Sequence, residues 1–291
     1  MSAASFDDDR DGSIWFDGEF VLWREARIHI LTHALHYGSA VFEGERAYNG
    51  KIFKMREHTE RLLRSAELLD YKIPYTAEEI DAAKIATLKT NNLKNAYVRP
   101  IAWRGPETLG VSALQCSIHL AVACWEWPSY FSPEARAKGI KLMMSPWARP
   151  APNTAPTAAK AAGLYMICTI SKNMAEQNGF SDALMLDWRG QVAEATGANF
   201  FMVKDGLLIT PPAECILNGI TRLTVMDLAR AKGIKVVERA INLDEVKDAD
   251  EVFVTGSAAE VTPVGQIGDW PFTPGPVTAQ LAEAYEKLTR E

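Results

Sequence analysis

Cysteine is scarce in this chain, and its four copies, Cys116, Cys124, Cys168 and Cys215, show no CxxC spacing. They read as buried free thiols of a reducing compartment rather than a disulfide framework, and no metal site is expected. Positive charge is not in surplus: 31 Lys and Arg stand against 37 Asp and Glu, for a net charge of −6. A pI near 5.5 argues against nucleic acid as the main partner, which usually demands a clustered basic face. No apolar run approaches the roughly 18 residues that a membrane span requires. The opening "MSAASFDDDRDG" has neither a basic n-region nor an apolar h-region, so no secretory signal is read and a cytoplasmic location is expected. Its acidic "DDDRD" (7–11) reads as a solvated tail. Internal repeats and low-complexity segments are missing too. What remains is ordinary globular composition: 291 residues, 47% hydrophobic and 23% charged, enough for one large domain or two smaller ones.

Hairpins punctuate the first part. Asp17-Gly18 divides "SIWFDGEFVLW" (13–23), and Asn49-Gly50 divides "AYNGKIF" (47–53). Between them "LTHALHYGSAVFEGERAY" reads as a loop or short helix running into a strand. The spacing of Leu62, Ala66 and Leu69 predicts a helix over 56–69, and a capping box predicts a second helix from Thr76. "AYVRPIAW" (96–103) alternates as a strand that puts Tyr97, Arg99, Ile101 and Trp103 on one face, and "HLAVACW" (119–125) is another strand. The Pro-containing "EWPSYFSPEAR" marks a boundary, giving a small domain over 1–126, a linker over 127–136 and a large domain over 137–291. In the large domain, strands are expected at 139–144, within 182–211 and at 251–264, with helices at 163–177 and between Gly219 and Gly233. Strands and hairpins outnumber strand–helix–strand units, so the fold class is α+β.

Several residues stand out chemically. Lys160 lies alone in "TAPTAAKAAGLYM" (154–166), among alanines and a glycine. It is either a lysine snorkelling to water or an amine in a dry pocket, where desolvation lowers its pKa and makes it a nucleophile. Glu194 is an isolated carboxylate in "VAEATGANF", an exposed strand acid or a buried functional one. Gly219 opens a helix whose first N–H groups, Ile220 and Thr221, converge on one point suited to an anion. The turn in "TGSAAE" (255–260) offers further N–H groups. Arg56 is a surface arginine or a phosphate clamp. A lysine for an aldehyde, an acid for a ring nitrogen and an anion cradle are together what pyridoxal phosphate needs.

In this order, "HALHYGSAVFEGERAY", "AYVRP", "APNTAPTAAKAAGLY", "EATGANFFMVKDG", "NGITR" and "TGSAAEVTPV" resemble the branched-chain amino-acid aminotransferases of the class IV, fold type IV, pyridoxal-phosphate enzymes. The resemblance runs from about residue 13 to 265. It implies a small N-terminal α/β domain and a larger C-terminal domain containing a barrel-like sheet. It implies that Lys160 joins pyridoxal 5′-phosphate, Tyr165 meets the ring hydroxyl and Glu194 meets the ring nitrogen. Arg56, Ile220, Thr221 and Ser257 would hold the phosphate, and Leu217 would line the ring. Tyr97 and Arg99 match the substrate motif Y-x-R; Tyr37, Phe42, Trp127 and Tyr130 match the aromatic pocket. Gly256, Ser257, Ala258 and Ala259 would bind the α-carboxylate. Gly110 and Val111 match a loop reaching a neighbouring subunit, implying a homodimer or higher homo-oligomer.

Departures are Leu164 where Asn commonly precedes the site tyrosine, Ala195 where Gly often follows the acid, and Ser257 in place of Thr. None removes a cofactor group. "WRGPETLGV" (103–111) also departs, beside the expected substrate opening. The resemblance implies amino-group transfer from Leu, Ile and Val to 2-oxoglutarate, with small-molecule amino and 2-oxo acids as the only partners besides its own copies. A D-amino-acid or amine transaminase of the same fold is the alternative enzyme. A ligand-binding relative that lost the chemistry is the alternative from another class, and Lys160 and Glu194 speak against it.

Overall fold

The computed structural model describes residues 10–127 and 138–291. Two compact units divide the chain: Met1–Pro128 with Ala159–Leu164, and Ser129–Ala158 with Tyr165–Glu291. No helix among the described residues is long and apolar enough to cross a membrane.

The first unit contains β1 (Ser13–Phe16), β2 (Glu19–Leu22), α1 (His33–Tyr37), β3 (Ala40–Phe42), β4 (Glu45–Tyr48), β5 (Lys51–Ile52), α2 (Met55–Leu68), α3 (Ala77–Thr90), β6 (Ala96–Arg104) and β7 (Ile118–Glu126). Its sheet runs β2-β1-β7-β6-β4-β5, with β3 also on β6. Asp17 and Gly18 (φ +48° and +101°) and Asn49 and Gly50 (φ +51° and +85°) make the two expected tight turns, where a positive φ at both positions suits the strand twist. β6 and β7 pair along their whole length, from Ala96 opposite Glu126 to Arg104 opposite Ile118. Leu62 and Ala66 of α2 pack with Ile80 of α3 and Val41 of β3 in one core cluster. Thr76 caps α3 as expected: its Oγ1 accepts from the Glu79 N–H at 3.2 Å, and its own N–H donates to Glu79 Oε2 at 2.7 Å.

The second unit contains β8 (Ile140–Met144), α4 (Tyr165–Gln177), β9 (Asp182–Leu186), β10 (Val192–Ala195), β11 (Asn199–Lys204), β12 (Leu207–Thr210), α5 (Ile220–Ala231), β13 (Lys235–Glu238), α6 (Leu243–Val246), β14 (Glu251–Gly256), β15 (Glu260–Ile267), β16 (Trp270–Pro271) and α7 (Pro276–Arg290). The pairing β10-β9-β8-β15-β14-β11 returns to β10, closing a barrel of six strands. Closure removes the sheet edges that would otherwise invite pairing with other chains. Leu142, Leu184, Phe200, Met202, Val254 and Val264 belong to the main core cluster of this unit. The fold is thus α+β, with the barrel-like sheet in the C-terminal part. β13, α6, β16 and α7 have no counterpart among the sequence-based expectations, although Pro276 at the start of α7 and its buried Thr278, Leu281 and Tyr285 carry a helix signal.

Candidate active site

The setting of Lys160 follows from the small residues around it. Ala159 and Ala161 are buried in the cluster of Val41, Leu62 and Ala66. Ala161 forms an antiparallel bridge with Val41. The Lys160 carbonyl accepts from the Phe42 N–H at 3.1 Å, and the Lys160 N–H donates to Ser65 Oγ at 3.0 Å. Side chains larger than methyl would push this segment off β3. A Cβ on Gly38 would already meet Gly163 Cα at 3.0 Å. The Lys160 ammonium lies 4.9 Å from the Phe42 ring centre. Burial, reinforced by the Arg61 cation, lowers its pKa from 10.5 to about 8, although Glu43 opposes the change. At pH 7 roughly one such amine in ten is unprotonated, against about one in 3000 for an ordinary lysine. The shift and the packing of Ala159 and Ala161 favour a Lys160 turned inward over one that snorkels to water, although the residue as a whole is only part-buried.

Beside it, β6 presents Tyr97 and Arg99 on one face. Arg99 Nη2 donates to the Tyr97 hydroxyl at 3.0 Å, and its guanidinium lies 4.7 Å from the Phe42 ring centre. Tyr97 packs against Trp127 with ring centres 4.8 Å apart. Gly44 makes room for this tyrosine, because a Cβ there would fall 1.9 Å from the Tyr97 hydroxyl. Arg99 Nε is buried and has no hydrogen-bond partner among the described residues. An aromatic wall with one unmet guanidinium donor can take an apolar side chain and can also answer an anion.

Behind this wall, Glu43 is completely buried. It accepts from Arg61 Nε at 2.6 Å and Nη2 at 2.8 Å, and it lies 2.6 Å from His58 Nδ1. Burial favours its neutral form, but the charges of Arg61 and His58 outweigh that and hold its pKa well below the carboxylate range. Arg61 is thereby fixed as a cation that Lys160 feels.

In the second unit, the hairpin of β10 and β11 sets Glu194 directly opposite Asn199. Glu194 is buried, not an exposed strand acid. Arg149 Nε lies 3.2 Å from its Oε1, Asn199 Nδ2 donates to its Oε2 at 3.1 Å, and the Leu217 N–H donates to Oε1 at 3.4 Å. Two hydrogen-bond donors and the Arg149 cation keep an anion tolerable in this interior. Nearby, Gly219 is the N-cap of α5 and supplies no side-chain acceptor to the first N–H groups of the helix. Arg222, fully buried, donates from Nη1 to Asn218 Oδ1 at 2.9 Å and from Nη2 to the Pro211 carbonyl at 2.8 Å, fixing that helix start. In the turn after β14, a Cβ on Gly256 would lie 3.2 Å from the Gly197 carbonyl. The buried Thr255 Oγ1 has no partner among the described residues.

The sequence model of the amino-transferase class IV family matches residues 40–267, a span that holds every one of these groups. The chain belongs to the class IV aminotransferase family. It is similar to the branched-chain-amino-acid aminotransferase of Pseudomonas aeruginosa, with 44% identity over 96% of this chain and 94% of that one. Among solved structures, it is similar to the T.th. branched-chain amino acid aminotransferase complexed with N-(5′-phosphopyridoxyl)-L-glutamate (TM-score 0.92, 40% identity, 97% of this chain and 95% of that one). The same T.th. enzyme complexed with 4-methylvaleric acid matches with a TM-score of 0.91 and 39% identity, covering 97% of this chain and 96% of that one. Class IV aminotransferases use pyridoxal phosphate.

For a class IV aminotransferase, most of the expected residues gather into these two groups. Lys160, Phe42, Tyr97, Arg99 and Trp127 stand together in the first unit. Glu194, Leu217, Ile220, Thr221 and the turn Gly256–Ala259 belong to the second, as does Tyr165 at the start of α4. Tyr37 is half exposed, its hydroxyl donating to the Leu109 carbonyl at 2.9 Å. Val111 is 82% exposed. Tyr130 lies outside the described residues. Arg56 requires correction. Its guanidinium is 40% exposed and is taken by Glu78 at 2.9 Å and Asp81 at 3.0 Å, on the α3 side of α2. The arginine of α2 whose charge reaches Lys160 is Arg61, which the sequence reading passed over. Arg149 and Asn199, which hold Glu194, were passed over as well.

Proposed function

We propose that this chain is a transaminase that moves the amino group of branched-chain L-amino acids (Leu, Ile, Val) to 2-oxoglutarate. The observation that carries the reading is the aromatic wall of Phe42, Tyr97 and Trp127 with the unmet Arg99 donor beside the amine of Lys160. One partner substrate is apolar and the other ends in a second carboxylate, and this wall suits both. The T.th. complexes, one with a glutamate adduct and one with 4-methylvaleric acid, support the same pair of side-chain chemistries.

The residues fit pyridoxal phosphate. Lys160 offers a partly deprotonated amine to an aldehyde. Glu194, held by Arg149, suits a protonated ring nitrogen. The start of α5 and Ser257 suit the phosphate, and Arg61 replaces Arg56 as the arginine proposed for it. Tyr165 would meet the ring hydroxyl and Leu217 the ring face. When bound, the cofactor supplies an electron sink for the bond broken at the substrate Cα. Lys160 Nζ, as a free amine, would carry the proton to and from that carbon. Glu194 keeps the ring nitrogen protonated, and Gly256–Ala259 orients the substrate's α-carboxylate. Arg99 answers the distal carboxylate of the second substrate.

Residues 1–126 and 137–291 are proposed as the small and large domains, with 127–136 linking them. A homodimer is proposed as well, supported by the exposed apolar Leu109, Val111 and Leu114 of the loop between β6 and β7. Assays of Leu, Ile and Val against 2-oxoglutarate test the function: L-leucine should be a good donor. Faster turnover of D-alanine or of a simple amine would replace this reading with the alternative transaminase.

A further inference from the structure

Asn199 occupies a junction that the reaction chemistry by itself does not require. It stands opposite Glu194 across the hairpin, and it is 4% exposed. Its single amide nitrogen donates to Glu194 Oε2 at 3.1 Å and to the Leu217 carbonyl at 2.8 Å. The other amide atom is pressed against the start of α5: a Cβ on Gly219 would fall 2.0 Å from Asn199 Oδ1. One side chain therefore touches the acid, the backbone at Leu217 and the N-cap of the helix. The Leu217 N–H closes the ring by donating to the other oxygen of Glu194 at 3.4 Å.

We propose that Asn199 is a positioning residue that couples the carboxylate of Glu194 to the anion cradle at the start of α5, so that ring nitrogen and phosphate are held in one fixed register. The proposal rests on the reading of Glu194 as the partner of the ring nitrogen. The chemistry favours an amide here. An aspartate would set a second anion beside Glu194 and a lone pair against the Leu217 carbonyl. An alanine would leave both acceptors without their donor. Gly219 is the matching half of the device, since the amide leaves no room for a side chain at the N-cap.

Two measurements on the holoenzyme test it. The first is the chemical shift of a 15N-labelled cofactor ring nitrogen, which reports protonation and which a general loss of packing does not move in a fixed direction. Asn199→Ala, which removes the donor that orients Glu194 and adds no charge, should move this signal toward the unprotonated value at pH 7.5, in the same direction as Glu194→Gln, and lower kcat about 100-fold with KM for leucine nearly unchanged. The second is the dissociation constant of the cofactor. Asn199→Ala should raise it about 10- to 100-fold. Gly219→Ala should raise it in the parent but have little further effect in Asn199→Ala, because the clashing oxygen is gone. An unmoved ring-nitrogen signal in Asn199→Ala, where Glu194→Gln does move it, would overturn the coupling. Equal damage by Gly219→Ala with and without Asn199 would overturn it too. No movement in Glu194→Gln would instead refute the role of Glu194 on which the proposal stands.

Discussion

Replacing Arg99 by alanine should separate the two halves of the transamination. In the structure this side chain has two duties. It donates to the Tyr97 hydroxyl at 3.0 Å, and it keeps a buried Nε without a partner among the described residues. The first duty concerns both substrates, because Tyr97 forms part of the wall that either side chain meets. A Tyr97 hydroxyl that loses this donor can turn to water instead, so the net loss is about 1 kcal/mol, or roughly 5-fold. The second duty concerns only the substrate with a distal carboxylate. A charge-assisted bond to that group contributes about 1.5–3 kcal/mol, or roughly 10- to 150-fold. The leucine half-reaction of Arg99→Ala should therefore slow by about 5-fold, and the 2-oxoglutarate half-reaction by a further factor of about 10 to 150.

Stopped-flow absorbance of the bound cofactor reads the two half-reactions separately, with leucine mixed against one form and 2-oxoglutarate against the other. Arg99→Lys should fall between, since a lysine keeps the charge but loses the planar fork. Equal losses in both half-reactions would refute the assignment and direct attention to Arg46. That arginine stands opposite Tyr97 on β4, and its own Nε is buried without a partner among the described residues. Arg104 is the weaker substitute, because its Nη2 already donates to the Leu69 and Asp70 carbonyls, both at 2.9 Å.

Three further outcomes are expected. In cofactor-free protein, the rate at which Lys160 condenses with an added aldehyde should rise about 10-fold from pH 7 to 9 and then level off, because the free amine is the reactive form and its pKa is about 8; a rate still climbing at pH 10 would show an ordinary lysine. Glu194→Gln should slow proton transfer by about 100-fold or more while cofactor remains bound; turnover near that of the parent, followed by leucine consumption, would rule out its role. Arg61→Ala strands the buried Glu43 carboxylate and should cost about 3–5 kcal/mol in denaturant unfolding together with weaker cofactor retention, whereas Arg56→Ala removes one exposed pair with Glu78 and one with the buried Asp81, which keeps its Thr59 donor, and should cost less and leave retention unchanged.

The contrast between Arg56 and Arg61 shows how far the sequence can be read. The hairpins at Asp17-Gly18 and Asn49-Gly50, the capped start of α3 and the isolation of Lys160 and Glu194 are local signals, written within a few residues of the feature they determine. The stripe of α2 is local too: Leu62 and Ala66 fix which side faces the core. At about 100° per residue, however, Arg61 and Arg56 fall on opposite flanks of that stripe, roughly 100° one way and 120° the other. Nothing in "REHTER" says which flank turns toward β3 and which toward α3, because both neighbours arrive from distant parts of the chain. The deciding partner is Glu43, in "FEGER", which becomes a buried anion only once β3 has paired with β6. A buried carboxylate must be matched by charge and hydrogen bonds. Arg61 and His58 meet that demand, while Asp81 and Glu78 take Arg56 on the far side. The same holds for Arg149 and Asn199, whose importance appears only where the barrel has closed around Glu194. The residues proposed to perform chemistry are out of place in their local sequence. The residues that hold them are ordinary locally, and only the long-range pairing of strands distinguishes them.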